Sequence, residues 1–302
     1  MSQTVAVPSR VQPAAVARKR RVDWLPYLMV APTVVVLSVF SLLPTLYGAV
    51  VSLYRVQFVE LLDFVGLDNY VGIFTNPEFW SGLRVSVIFS FFSVVLTVAV
   101  GFGLALLANR ALALVPTFRT VVVMPWVTSY VVVYLIFKWI LNFDDGLLNV
   151  VLYAVGQRKV GWLTDPFLAM ASLIVVDTWR AAPYAMILLL AGLQTIPHEL
   201  YEAAATDGAS GWRSFWSMTL PLMKLPLTIV LVLLTIVNLN TLVAMLVLTG
   251  GGPGRATEPL SLLMYNQAFQ YFQMGPAASI AMFIFALNLV LAAGYVRLLR
   301  SD

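Results

Sequence analysis

Long stretches of this chain carry no charge. Residues 24–54, 85–109, 120–137, 225–254 and 259–296 each lack Asp, Glu, Lys, Arg and His. A further apolar stretch, 166–197, holds Asp177 and Arg180 in its interior. A helix that crosses a bilayer needs about 20 mostly apolar residues. The pattern therefore predicts six membrane-crossing helices, at roughly 25–52, 84–108, 118–140, 167–191, 219–247 and 277–299. Pro32, Pro44, Gly101, Gly103, Pro125 and Pro183 lie inside these spans, where such residues are ordinary and can mark kinks.

The segments between the spans differ in character. Residues 55–81 hold Glu60, Asp63, Asp68 and Glu78 and read as a small packed loop. A helix should start near Asp68, because Asp and Asn cap helices well. Residues 147–155 are apolar but too few to span, which predicts an interfacial or re-entrant helix. Residues 249–254 read TGGGPG, and glycines around a proline forbid a helix. That run is not a phosphate loop, because Arg255-Ala256 follows where a Lys and a Ser or Thr are needed. No repeat period of 20 to 50 residues is visible.

Composition agrees with the spans. Hydrophobic residues make up 61% of the chain and charged residues 11%, against about half and a quarter in soluble globules. The expected fold class is all-α and polytopic. There is no cysteine and one histidine, His198. A disulfide framework, a thiolate metal site and a His-based metal site are thereby disfavoured, and His198 reads as a helix-start residue.

The net charge of +4 is small, and its placement matters more. Six spans put Arg10, Arg18, Lys19, Arg20, Arg21, Arg110, Arg119, Arg213, Lys224, Arg297 and Arg300 on one side. The other side receives Arg55, Arg84, Lys138, Arg158, Lys159 and Arg255. Cytoplasmic loops carry the Lys/Arg excess, so both termini and the loop 198–217 are expected in the cytoplasm. Residues 1–22 read as a basic disordered tail, and 23–302 as the transmembrane domain. The apolar run after Asp23 is much longer than the 7–15 residues of a signal peptide, which favours an uncleaved first span.

One polar interruption is unusual. Residues 202–221 read EAAATDGASGWRSFWSMTLP. Good helix formers follow Pro197, which suits a helix start. Ala203, Ala204 and Ala205 leave a smooth face that another protein can approach. Gly208 permits a turn that a bulky residue resists. Trp212, Phe215 and Trp216 then recur at helical spacing, and Trp favours the membrane–water boundary. The expectation is a helix–turn–helix at the surface. The plainer alternative is an ordinary inter-helix loop with a capped helix.

The order Glu202-Ala203-Ala204, Gly208, Leu220-Pro221 resembles the EAA loop of permease subunits of binding-protein-dependent ABC importers. Other pieces are similar to the carbohydrate-uptake, maltose-permease-like branch. They include Pro26-Tyr27-Leu28, residues 64–70 (FVGLDNY), 162–166 (WLTDP), 189–197 (LLAGLQTIP) and 248–253 (LTGGGP), in order along nearly the whole chain. Ala205 stands where many relatives carry a charge, and Met218 where an Ile is usual.

The resemblance implies a type I ABC importer permease-like fold with a cytoplasmic coupling helix in loop 198–217. It implies a non-catalytic subunit that moves a sugar or sugar-like solute of the oligosaccharide, disaccharide or glycerol-phosphate class into the cytoplasm. It implies a bacterial or archaeal plasma membrane. The partners would be a second homologous permease, two copies of an ATPase and an extracytoplasmic solute-binding protein, with no nucleic acid. This chain would hold no cofactor, ATP and Mg²⁺ binding to the ATPase. Glu202, Ala203, Ala204, Asp207 and Gly208 would contact that ATPase.

Polar groups inside spans are costly and mark cavities or partners. Asp177 and Arg180 are three apart and can pair on one helix face; Tyr184 lies on the same side and Pro183 permits a bend beside them. The alternative is a self-neutralising structural ion pair. Asn238 and Thr241 in the fifth span are three apart and again share a face, while Asn240 points elsewhere. They could equally serve helix–helix hydrogen bonding. Trp126 and Tyr130 could line a solute path or belong to an aromatic belt. The resemblance implies a solute pathway over Trp126, Tyr130, Asp177, Arg180, Ala181, Tyr184, Val237, Asn238 and Thr241. Arg180 would suit an anionic group, such as a glycerol phosphate. Two competing functions are an ion-coupled secondary transporter with Asp177 as a proton site, and a membrane enzyme. The adjacent acids Asp144-Asp145 would serve the latter, but a turn explains them more simply.

Overall fold

A computed structural model describes residues 24–57, 60–110 and 115–300. The expected disordered tail, 1–22, lies outside these residues. The chain divides into two units, one ending at Leu46 and the other beginning at Tyr47. The first helical run comprises α1 (Leu25–Leu37), a π-helical turn at Ser38–Leu42 and α2 (Leu43–Val51). Leu28, Met29 and Phe40 on it are exposed.

A small antiparallel hairpin follows, β1 (Tyr54–Gln57) with β2 (Glu60–Phe64), an addition to the helical architecture that hydropathy did not announce. Tyr54 and Phe64 face each other across it, ring centres 5.3 Å apart. Helix α3 (Asp68–Thr75) starts near Asp68 as expected, but Leu67 holds the cap position and no side chain caps the helix. Asn69 fastens this piece by donating to the carbonyls of Ser52 (2.9 Å) and Tyr54 (3.0 Å).

Two long helices form the centre. Helix α4 (Pro77–Ala108) is capped by Asn76, whose side chain accepts from the Glu78 amide, with Pro77 in the first turn. Helix α8 (Pro166–Leu193) repeats the arrangement with Asp165 and Pro166. The two pack closely because Gly101 faces Ala182 and Ala185. A methyl group at Gly101 would lie 2.6 Å from the Ala185 methyl. Small residues at such a crossing replace the hydrophobic drive that lipid removes. Phe102, Ala105, Met186, Leu189, Met223 and Leu234 build one core around this pair. Phe89, Tyr134, Leu173, Met245 and Leu248 build a second, and Phe79, Leu260 and Ile280 belong to a third.

Two expected spans are bent. The third, expected over 118–140, is α5 (Val115–Val127) and α6 (Tyr130–Ile140), which meet at 90°. Ser129 leaves the helical region with ψ of 132°. Between α6 and α8, α7 (Leu147–Ala154) is the short helix the apolar count predicted. After α9 (His198–Thr206) and α10 (Gly211–Ser214) comes a π turn at Phe215–Thr219, then α11 (Leu220–Leu222). This piece turns by 66° into α12 (Lys224–Leu239). Pro226 has no amide to give the Leu222 carbonyl, which explains the break there. The fifth span, expected as one helix over 219–247, ends at Leu239 and resumes as α13 (Val243–Leu248).

The glycine run after α13 is not helical, as expected; Gly250, Gly251 and Gly254 adopt φ of 64°, 86° and 56°. Arg255 ties this loop to Glu258 and to Glu78 at the start of α4. The last apolar run divides into α14 (Leu260–Tyr265), a π turn at Asn266–Gln270 and α15 (Met274–Arg300). Among the described residues, four helices are long and apolar enough to cross a membrane, and six spans result if each bent pair is one span.

Candidate functional site

Two places gather the residues singled out above. The first is the polar interruption after α8. Helix α9 ends in a Schellman turn: the Ala209 amide donates to the Ala204 carbonyl (2.9 Å) and the Gly208 amide to the Ala205 carbonyl (3.0 Å). Gly208 closes the turn at φ +75°, a conformation that side chains resist. Ser210 then caps the next helix by accepting from the Arg213 amide. The result is the helix–turn–helix expected from the sequence.

Helix α9 shows two faces. Glu202, Ala203, Thr206 and Asp207 are exposed, whereas Tyr201 and Ala204 are half-buried. The Glu202 carboxylate meets the His198 ring nitrogen at 3.0 Å on the exposed side. His198 therefore sits at the helix start, as read, and also partners Glu202. The exposed side carries the Ala203 and Ala205 methyl groups among the acids Glu199, Glu202 and Asp207.

The second place lies where α5, α6 and α8 meet. Asp177 Oδ1 accepts from Arg180 Nη2 at 2.8 Å and from Tyr134 Oη at 2.8 Å. Arg180 Nε donates to Tyr134 Oη at 3.2 Å, and the guanidinium carbon lies 3.9 Å from the Tyr130 ring centre. Asp177, Arg180 and Tyr134 are 1%, 3% and 0% exposed. The pair is thus formed, desolvated and covered by an aromatic face, where a cation–π contact gains strength. Asp177 Oδ2 is buried and makes no hydrogen bond.

Beside this group Trp126 stacks on Tyr184, ring centres 5.4 Å apart and planes at 24°. The break between α5 and α6 allows this: Trp126 reaches α8 from one side of the bend, and Tyr130 reaches it from the other. Tyr134, the partner that sequence reasoning missed, lies one helical turn beyond Tyr130.

The α12 residues behave differently. Asn238 is buried, and its amide donates back to the Leu234 carbonyl at 3.0 Å. Thr241 lies beyond the helix end at Leu239, so the shared helix face expected for Asn238 and Thr241 does not exist. The Thr241 carbonyl accepts from the Ser261 hydroxyl. Asn240 does point elsewhere, accepting from Asn288 on α15 at 3.3 Å. Val237 is exposed and Ala181 is buried. No group of His, Cys, Asp and Glu suited to a metal ion occurs among the described residues.

The chain is thus a helical membrane protein with a surface helix–turn–helix between two spans and a buried polar cluster where a bent span meets α8. The chain belongs to the family of binding-protein-dependent transport system inner membrane components, whose pattern matches residues 69–301. It is 39% identical over 290 residues to the trehalose/maltose transport system permease protein MalF of Thermococcus litoralis, covering 94% of this chain and 97% of that one. It is 32% identical to the sn-glycerol-3-phosphate transport system permease protein UgpA of Agrobacterium fabrum, covering 92% and 95%. Its fold matches a chain of a bacterial alginate ABC transporter crystallised with an alginate pentasaccharide-bound periplasmic protein. That match has a TM-score of 0.79 and 23% identity, over 90% of this chain and 93% of the other. The type I importer permease fold expected from the sequence is thus found. The protein is a non-catalytic inner-membrane subunit of an ABC importer that works with a solute-binding protein. Neither the ion-coupled carrier nor the membrane enzyme gains support from these relatives.

Proposed function

We propose that this chain forms one half of a pathway for a sugar or sugar-like solute and takes its drive from an ATPase docked on α9. The second half of the pathway would come from a homologous permease, and two ATPase copies would bind ATP and Mg²⁺. Both termini and α9 would face the cytoplasm, as the Lys/Arg asymmetry favours. Glu202, Ala203, Ala204, Asp207 and Gly208 would fit a cleft on the ATPase.

The observation that carries the solute class is the aromatic wall of Trp126, Tyr130 and Tyr184 at a broken span. Aromatic faces cover the C–H surfaces of a sugar, and nearby polar groups exchange hydrogen bonds with its hydroxyls. Trp126 and Tyr130 are 37% and 40% exposed in the isolated chain, which leaves rings open to a solute or to the opposing subunit. From the fifth span Val237 and Thr241 would approach the path, with the buried Asn238 behind them. The named solutes of two relatives, a disaccharide and a glycerol phosphate, bracket the expected chemistry.

Reconstitution tests the reading. Proteoliposomes holding this chain, its second permease, its ATPase and its binding protein should accumulate labelled trehalose, maltose or glycerol 3-phosphate at the expense of ATP. Trp126→Ala should slow that uptake while the complex still assembles. Absence of uptake of every sugar and polyol offered, with uptake of a different class, would refute the assignment.

A further inference from the structure

Helix α9 is held to the rest of the chain in an unusual way. Beneath it lies a groove of about 670 Å³ lined by Leu106, Leu193, Tyr201, Ala205, Phe215 and Thr219, among others. The chain joins α9 to α8 at one end and, through the turn at 207–210, to α10 at the other, and contacts across the groove add to these joints. One spans the groove: the Tyr201 hydroxyl lies 3.2 Å from the Thr219 hydroxyl. Thr219 is buried, at 3% exposed.

Thr219 occupies a mechanically sensitive position. It ends the π turn Phe215–Thr219, where the hydrogen-bond ladder is loosened, and stands just ahead of α11. Four residues further on, at Met223, the chain bends by 66° into α12. Helix α12 carries Asn238, at the far end of the same rod. Tyr201 thus joins the inner face of α9 to the base of the fifth span, while Glu202 and Ala203 on the outer face remain free for a partner.

We propose that Tyr201 and Thr219 are positioning residues for energy coupling: their hydroxyl pair makes α9 and the α11–α12 joint move as one body when the ATPase shifts α9. The inference rests on the reading of α9 as the ATPase-docking helix. Coupling of this kind requires a discrete contact that both sites bias, and a hydroxyl pair that bridges the groove between two pieces already joined by the turn at 207–210 is such a contact. Without it, only the turn at 207–210 would pass a displacement of α9 toward α12, and the groove would absorb part of it.

The test uses the complete reconstituted complex, with trehalose and glycerol 3-phosphate as probes and the ratio of solute imported to ATP hydrolysed as readout. Tyr201→Phe and Thr219→Val each remove one hydroxyl and keep the shape. Each should lower the ratio about fivefold, the scale of one neutral hydrogen bond, while the ATPase still co-purifies. The double variant should be no worse than either single one, and Thr219→Ser should restore the ratio. A ratio within twofold of wild type in Tyr201→Phe, or additive losses in the double variant, would overturn the latch. Ala203→Trp separately reports on the docking reading, because it obstructs the outer face of α9. Unchanged ATPase co-purification in that variant would overturn the reading itself.

Discussion

Arg180→Gln removes the cation from the α6–α8 cluster and leaves Asp177 buried at 1% exposure among Tyr134 and apolar neighbours. Breaking a buried ion pair by deleting one partner costs about 3–5 kcal/mol, because the remaining charge is desolvated and uncompensated. The Tyr130 face also loses its cation, worth about 0.5–2 kcal/mol. Against a total stability of about 5–15 kcal/mol, that loss is large. Replacing both charges at once, Asp177→Asn with Arg180→Gln, removes the desolvation cost together with the attraction. A neutral amide pair of similar volume should bring stability back to within about 1 kcal/mol of wild type. The assay is thermal unfolding of the purified chain in detergent, alongside its accumulation in membranes. The single variant should unfold well below wild type and accumulate poorly, and the double variant should recover both. A double variant as unstable as the single one would refute mutual neutralisation as the reason for the pair. Arg180 Nε and Nη2 are both engaged within the chain.

Three further outcomes follow from the packing. Gly208→Val forces a branched side chain into φ +75°, at a cost of about 1–2 kcal/mol, and should reduce ATPase co-purification while the chain still accumulates in membranes. Gly101→Val brings a side chain within 2.6 Å of Ala185 and 3.0 Å of the Ala182 carbonyl. Overpacking of this kind costs about 1–3 kcal/mol, read as a lower unfolding temperature. Asn149, fully buried, accepts from the Val160 amide and the Trp162 indole and donates to the Phe143 and Val160 carbonyls. Asn149→Ala leaves these groups unpaired at about 1–3 kcal/mol and should speed tryptic cleavage at Arg158 and Lys159.

The spans were legible because charge-free length is a direct demand of the bilayer, and α4, α8 and α15 follow it closely. The α9 turn was legible because Gly208 has a conformation that other residues avoid. The Asp177–Arg180 pair followed from helical spacing inside an apolar run. Prolines such as Pro125 hinted at kinks, but the size and direction of the bends were not legible, since hydropathy reports burial in lipid and carries no direction. The end of α12 at Leu239 was hidden for the same reason, and with it the separation of Asn238 from Thr241. Tyr134 was missed because a tyrosine in an apolar helix announces no partner until the facing helix is known. Helix α14 and the hairpin of β1 and β2 depend on tertiary contacts that no local pattern encodes.

The central claim, an ATPase docked on the outer face of α9 in the cytoplasm, has a direct test. The chain contains no cysteine, so Ala203→Cys supplies a unique thiol at the tip of that face. A membrane-impermeant maleimide should label it in inside-out vesicles and not in intact cells, and co-expression of the ATPase should protect it. Labelling from outside the cell, or labelling indifferent to the ATPase, would contradict the account.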